Sequence, residues 1–426
     1  MRNALVPRGF ALIWVAFLST GCHEAVPAAP GPLIQRGYLW QRAWNPAVAD
    51  AVMEAEKRLD GVVILGAEIV WTGKAPQTVR ANINWETLKS PKKPVGLALR
   101  IAPFPGPFSE DDIPGRYIAK AAKDLLDSAK SHGVELSEFQ LDFDCAGTKL
   151  GGYRVWLHAL RPIVHPVRFV ITALPAWLDE TQFAALVHDV DGYVLQVHSV
   201  PTLKESGQAV LCDTGLARKW ADKAAQLNLP FSVALPTYRC LAGYDSAGKL
   251  LGVAMDSVDP SWPPGTHILE FAINEDDVAS LVKEWQVRRP SEIREILWYR
   301  VPVATDMRNW SWATLSAVMA GRTPVHKLEV LQAGSNPIDL AIANAGEADE
   351  QRDVVVTVTW SGSSLVACDA LPGWIVRTEP ERAVFTPAAG FRSQLPPGGQ
   401  RSIGWLRYDQ VTTIRSQAEE LAEGHR

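Results

Sequence analysis

The chain has 426 residues, 47% of them hydrophobic and 21% charged, with a formal net charge of −5. That length exceeds one ordinary small domain and suits a barrel-sized domain with a satellite. The acidic balance and the lack of a dense basic run argue against a nucleic-acid partner.

Taken in chain order, the first residues read as an export signal. Arg2 and Arg8 supply the positive region and residues 10–18 the apolar one. Leu18-Ser19-Thr20-Gly21-Cys22 then resembles a bacterial lipobox, with Leu18 four rather than three places before Cys22. A plain signal peptide cut nearby is the alternative. On the lipobox reading, residues 1–22 are the signal, Cys22 carries the lipid, and residues 23–35 are a flexible Ala- and Pro-rich tether. The expected location is the periplasmic side of a bacterial envelope. The membrane is met through the lipid alone, since no later apolar run is long enough to cross it.

Period-two and period-3.6 hydrophobic patterns then alternate along the chain. Strand one is expected in the aromatic run over residues 38–44, strand two over 61–70, and strand three over 95–101. The link over 71–94 holds only weak helical signals. Strand four is Gln140-Leu141-Asp142-Phe143-Asp144, whose alternation sets Gln140, Asp142 and Asp144 on one face. Strands five to eight follow over 168–174, 192–198, 230–236 and 295–301, and amphipathic helical segments lie between most of them. An excursion at 241–294 carries a hairpin around Asp245–Gly248. Eight near-continuous apolar strands alternating with helices describe a (β/α)8 TIM barrel, placed at residues 36–323. A doubly wound open sheet is the rival, but no glycine-rich phosphate loop is present.

The pattern changes near residue 324. Short strands separated by Asn-Ala-Gly, Pro-Gly and Pro-Pro-Gly-Gly turns predict a small C-terminal β-sandwich over 324–410. Residues 411–426 read as a charged tail, helical or disordered. Cys145, Cys212, Cys240 and Cys368 lack the paired spacing of a zinc site. Export permits a disulfide, and Cys212 with Cys240 is the candidate pair; free thiols are the alternative.

In such barrels the chemistry sits at the C-terminal ends of the strands. Strand ends and alternation select Glu68, Arg100, Asp142, Asp144, Gln196, His198, Tyr238 and Arg300, with Arg42 and Trp44 as weaker members. Asp144 and Glu68 are the candidate catalytic carboxylates. Asp142, Arg100, Gln196, His198, Tyr238, Arg300 and Trp44 are the candidate substrate-binding set. Carboxylates hold sugar hydroxyls, aromatic rings stack on sugar faces, and two acids can divide the roles of glycoside cleavage. A paired polar layer, with Arg100 and Arg300 neutralising Asp142 and Asp144, is the purely structural alternative. No cofactor is implied, and no tight metal-ligand motif is present.

Six segments, beginning at Tyr38, Gln140, Thr172, Val194, Ala234 and Leu297, together resemble a bacterial domain-of-unknown-function family over residues 36–320. The resemblance implies an exported TIM barrel related to glycoside hydrolases. The Asp-x-Asp strand also resembles the fourth strand of chitinase-type glycosidases. There the pattern continues to a glutamate, whereas this chain has Ala146. Two readings therefore stand: a glycoside hydrolase-like protein acting on a polysaccharide or cell-wall glycan, or a non-catalytic glycan-binding or scaffold lipoprotein.

Overall fold

The structure is a computed structural model that describes residues 32–420, except 73–74, 90–91, 110–111, 199–209, 256–260, 351–353, 390 and 392–394. The expected signal, Cys22 and most of the tether lie outside the described residues, as does the end of the charged tail.

The first domain runs β1 (Ile34–Leu39), α1 (Pro46–Arg58), β2 (Val62–Thr72), β3 (Ala75–Arg80), α2 (Trp85–Lys89), β4 (Val95–Ile101), α3 (Ile113–Ser131) and β5 (Leu136–Phe143). It continues with α4 (Leu150–Val164), β6 (Arg168–Ala173), α5 (Thr181–His188), β7 (Gly192–Gln196), α6 (Thr214–Ala225) and β8 (Phe231–Pro236). Next come β9 (Cys240–Tyr244), β10 (Leu250–Ala254), β11 (His267–Phe271), α7 (Glu275–Val287), β12 (Ile293–Tyr299) and α8 (Trp312–Met319). Strands β1, β2, β4 to β8 and β12 are parallel, and β1 closes the ring by pairing with both β12 and β2. This is the (β/α)8 barrel. Helices start where the sequence offers a cap: the side chains of Asn45, Asp112, Asp213, Asn274 and Ser311 each accept a hydrogen bond from a backbone N–H of the turn that follows.

Alternation along each strand fills the barrel in tiers. At the base, Arg36 donates to Glu138 at 3.0 Å and to Glu295 at 2.7 and 2.6 Å, while Ser232 donates to Glu295 at 2.5 Å. Arg168 closes the group on Glu138 at 2.8 Å. Gly96 and Gly192 make room for it: a Cβ there would stand 2.9 Å from Glu138 Cγ and 2.5 Å from Arg168 Nη2. The middle tier is apolar, with Val63, Ala98, Val170, Val194, Ala234 and Leu297 around Tyr38. Tyr38 donates to Gln140 at 2.7 Å, and Gln140 donates down to Glu138 at 2.5 Å. The interior is therefore plugged, and only its upper tier opens to solvent.

The second domain holds β13 (Leu328–Ala333), β14 (Ile338–Asn344), β15 (Val354–Thr359), β16 (Leu365–Ala370), β17 (Trp374–Glu379), β18 (Arg382–Pro387), β19 (Gln400–Tyr408) and β20 (Arg415–Glu420). They form two four-stranded sheets, β13-β14-β19-β16 and β17-β18-β15-β20. Inward residues such as Leu340, Ile342, Val356, Val358, Phe385 and Leu406 make the core of the sandwich.

Four expectations need correction. Strand one begins at Ile34, inside the expected tether, because Leu33 is buried and the chain there pairs with β12. The 71–94 link contains β3, which folds back antiparallel on β2. The charged tail contributes β20, an edge strand paired with β15 from Val354↔Glu420 to Thr359↔Arg415; Arg415 and Glu419 are exposed there, as edge strands tolerate. Cys212 and Cys240 are both buried free thiols.

Candidate functional site

The upper tier lines a cavity of about 300 Å³ at the C-terminal mouth of the barrel. Its acidic wall comes from β5. Asp142 is buried and held in place from three sides. Thr172 on β6 donates to its Oδ1 at 2.7 Å, Gln196 on β7 donates to the same oxygen at 3.3 Å, and Arg100 Nε lies 3.8 Å from Oδ2. Asp144 is one residue beyond the end of β5, where the pairing with β4 and β6 has stopped and the side chain reaches solvent. Among the described residues it makes no hydrogen bond or ion pair.

Burial among the cleft walls, then repulsion from Asp142, push the Asp144 carboxyl up to about 7, against the pull of Arg100. Because the side chain is exposed at the rim, water weakens the first of these causes. Repulsion from a fixed neighbouring carboxylate is the more durable one.

The opposite wall is aromatic. Trp40 and Tyr299 have ring centroids 5.4 Å apart, Tyr38 lies 5.8 Å from Tyr299, and Tyr238 5.6 Å from it. His198 stacks on Tyr299 at 5.7 Å, and its Nδ1 lies 3.4 Å from the Ala234 carbonyl. Burial pulls the imidazole down to about 4, opposed by that carbonyl, so at neutral pH the ring is uncharged. Val253 and Met255, at the end of β10, complete the lining.

Of the residues chosen from sequence, Arg100, Asp142, Asp144, Gln196, His198 and Tyr238 line this cavity. The others are elsewhere. Glu68 does face the barrel interior, because Gly66 adds a bulge: Leu65 pairs with Ala98, but Ala67 pairs with Leu99 and Glu68 with Arg100. Its carboxylate is engaged, however, in an ion pair with Arg42 and at 3.9 Å from Arg100, and Glu68 does not line the cavity. Arg300 points away. The inward residues of β12 are Glu295, Leu297 and Tyr299, and Arg300 instead pairs with Asp306 at 2.5 Å and donates to the Met255 carbonyl at 2.7 Å. It therefore neutralises neither Asp142 nor Asp144. Trp44 sits on the loop after β1 and packs against the outer core.

Sequence reasoning missed Tyr38, Trp40, Thr172 and Tyr299. Their signal was present, since each lies on the inward parity of its strand. Placing strand one several residues too late hid Tyr38 and Trp40, and taking the last charged residue of strand eight hid Tyr299. Among the described residues no cluster of three or more His, Cys, Asp or Glu is placed to hold a metal ion.

The fold and site thus define a (β/α)8 barrel with an acid-and-aromatic cleft at the strand C-termini, followed by a β-sandwich. Residues 106–304 match the family model described as Domain of unknown function (DUF3142). Among solved structures, the spore cortex-lytic enzyme SleL of Bacillus cereus is similar at 12% identity, covering 69% of this chain and 75% of that one, with a TM-score of 0.48. SleL of Bacillus megaterium QM B1551 gives 12%, 70% and 75%, with a TM-score of 0.46. Chitinase ChiA74 from Bacillus thuringiensis gives 10%, 91% and 100%, with a TM-score of 0.42. Likeness of that degree says nothing about activity. The curated proteins give no match to this sequence.

Proposed function

We propose that the cleft binds a glycan and that Asp144 serves it as a proton donor, making this a glycoside hydrolase-like protein. One observation carries the reading: a fixed anion on β5 and a protonatable carboxyl just beyond its end face an aromatic wall across one cavity. Aromatic faces pack on the C–H faces of sugar rings, and carboxylates take their hydroxyls. An acid whose pKa lies near neutrality can hold a proton and release it to a glycosidic oxygen as that bond breaks.

Among the described residues no second carboxylate stands across the cleft from Asp144. Glu68 is tied to Arg42 and Arg100, and Asp142 shares the strand of Asp144 rather than facing it across the groove. Hydrolysis would then take a substrate-assisted form, in which the sugar itself supplies the nucleophile. The same observation supports a second reading, a glycan-binding protein with no turnover.

Release of reducing ends from a panel of cell-wall and storage glycans, compared with the Asp144→Asn variant, decides between them. Turnover lost in the variant supports the enzyme. Binding with no turnover in either protein supports the second reading.

The same proposal places the protein on the periplasmic side of a bacterial envelope, held through a lipid on Cys22. Incorporation of an alkyne fatty acid that disappears in Cys22→Ala is the expected result; equal labelling of both proteins would refute the anchor.

A further inference from the structure

A separate cavity of about 380 Å³ lies where the barrel meets the sandwich. The start of α1 and the segment after β12 form one side, and Asp349, Glu350 and residues 395–397 the other. Its walls are largely apolar, with Val303, Met307, Trp310 and Pro396 among them.

The charges around it are unevenly met. Asp306 is paired with Arg300 at 2.5 Å, Glu350 with His326 at 2.6 Å, and Glu54 with Lys57 and Arg58. Arg239 lines the cavity too; its guanidinium engages Glu270 at 3.6 Å and also attracts the Asp349 carboxylate through space. Asp349 feels Arg239 only at a distance: its Oδ1 is buried and has no hydrogen-bond partner among the described residues. Asp50, on the α1 side, makes no ion pair among them either. A buried acceptor without a donor is costly, and an indole face attracts a cation rather than an anion.

We propose that this cavity binds a small organic ammonium ion, whose N–H donates to Asp349 while its apolar body lies against Trp310 and Met307. The anionic rim rejects carboxylates and phosphates, and the apolar walls disfavour a bare metal ion, which would keep its water. The site is independent of the glycan cleft, and its success or failure leaves that reading untouched.

Calorimetric titration of the full chain at pH 8 with cyclohexylammonium, and with cyclohexanol as the neutral match, tests the proposal. The ammonium is expected to bind about tenfold or more tightly than the alcohol, the difference a charge-assisted hydrogen bond makes. Asp349→Asn is expected to abolish that difference. Ala304→Leu, at an exposed position on the cavity wall, is expected to weaken both ligands by filling the space. Equal affinity for the two probes, or no binding of either, overturns the assignment. So does a preference that survives Asp349→Asn. If that variant fails to fold, Ala304→Leu decides alone, and unchanged affinity refutes the site.

Discussion

Thr172 Oγ1 donates to Asp142 Oδ1 at 2.7 Å, joining β6 to β5 at the floor of the cleft. Together with Gln196 at 3.3 Å, that bond fixes the direction of a buried carboxylate and leaves its second oxygen toward Arg100. Thr172→Val keeps the shape and removes the donor. Expected is a stability loss of about 1–2 kcal/mol, read as a lower urea midpoint at unchanged slope, with weaker glycan binding. Thr172→Ser should restore most of both. A valine variant as stable and as tight as wild type would show that Asp142 is held by its other neighbours.

Among the described residues Asp144 makes no hydrogen bond or ion pair and feels Arg100 only at a distance, so its replacement should cost chemistry and not structure. If it donates a proton, Asp144→Asn lowers turnover by about 100-fold or more, the usual range for general acid catalysis, while the protein still binds. The pH profile carries the sign. Burial and Asp142 raise the carboxyl to about 7; the protonated form is the active one, so the rate falls as pH rises through that value. In the folded state this group also holds its proton over a pH range where the unfolded chain has lost it. Its contribution to stability therefore falls between about pH 4 and 7 as pH rises. A rate that climbs through pH 7 would remove Asp144 from the donor role.

Glu68 should behave in the opposite way. Glu68→Gln leaves Arg42 and Arg100 with a neutral partner. A fully buried pair costs about 3–5 kcal/mol to break, but Arg42 is 61% exposed, so about 1–3 kcal/mol is expected here. Turnover should drop less than tenfold, far less than in Asp144→Asn. A loss in Glu68→Gln as large as in Asp144→Asn, without a matching loss of stability, would restore Glu68 as a reacting group.

The base of the barrel offers a control remote from the cleft. Arg36→Met takes the buried counter-charge from Glu295 and leaves Glu138 with the half-exposed Arg168 alone; in the wild type the two carboxylates more than offset the cost of burying the guanidinium. Expected is a loss of about 3–5 kcal/mol by denaturant titration. Glycan affinity of the protein that remains folded should be unchanged. A stable variant with lost binding would instead link the base to the cleft through Tyr38 and Gln140.

Much of this was legible in residue order, because apolar period and alternation are local properties. The run 140–144 announces its own strand, its own parity and its two acids on one face. Eight such runs with helices between them leave few folds besides a closed parallel ring. Parity alone also marks Thr172, Tyr38 and Tyr299 once the strand ends are placed correctly. Strand β20 was not legible: six residues from Arg415 to Glu420 carry no apolar alternation and become a strand only because β15 offers an open edge.

Residue order carries the succession of buried strands and the supply of acids and rings to one end of them. The tertiary structure alone decided which of those groups meet. A one-residue bulge at Gly66 turns Glu68 inward, yet two arginines from neighbouring segments bind it there. The turn after Tyr299 sends Arg300 to Asp306 instead of the cleft. Whether a charge ends as a paired structural group or as an open acid depends on neighbours distant in the chain, because burial tolerates a charge only where another group meets it.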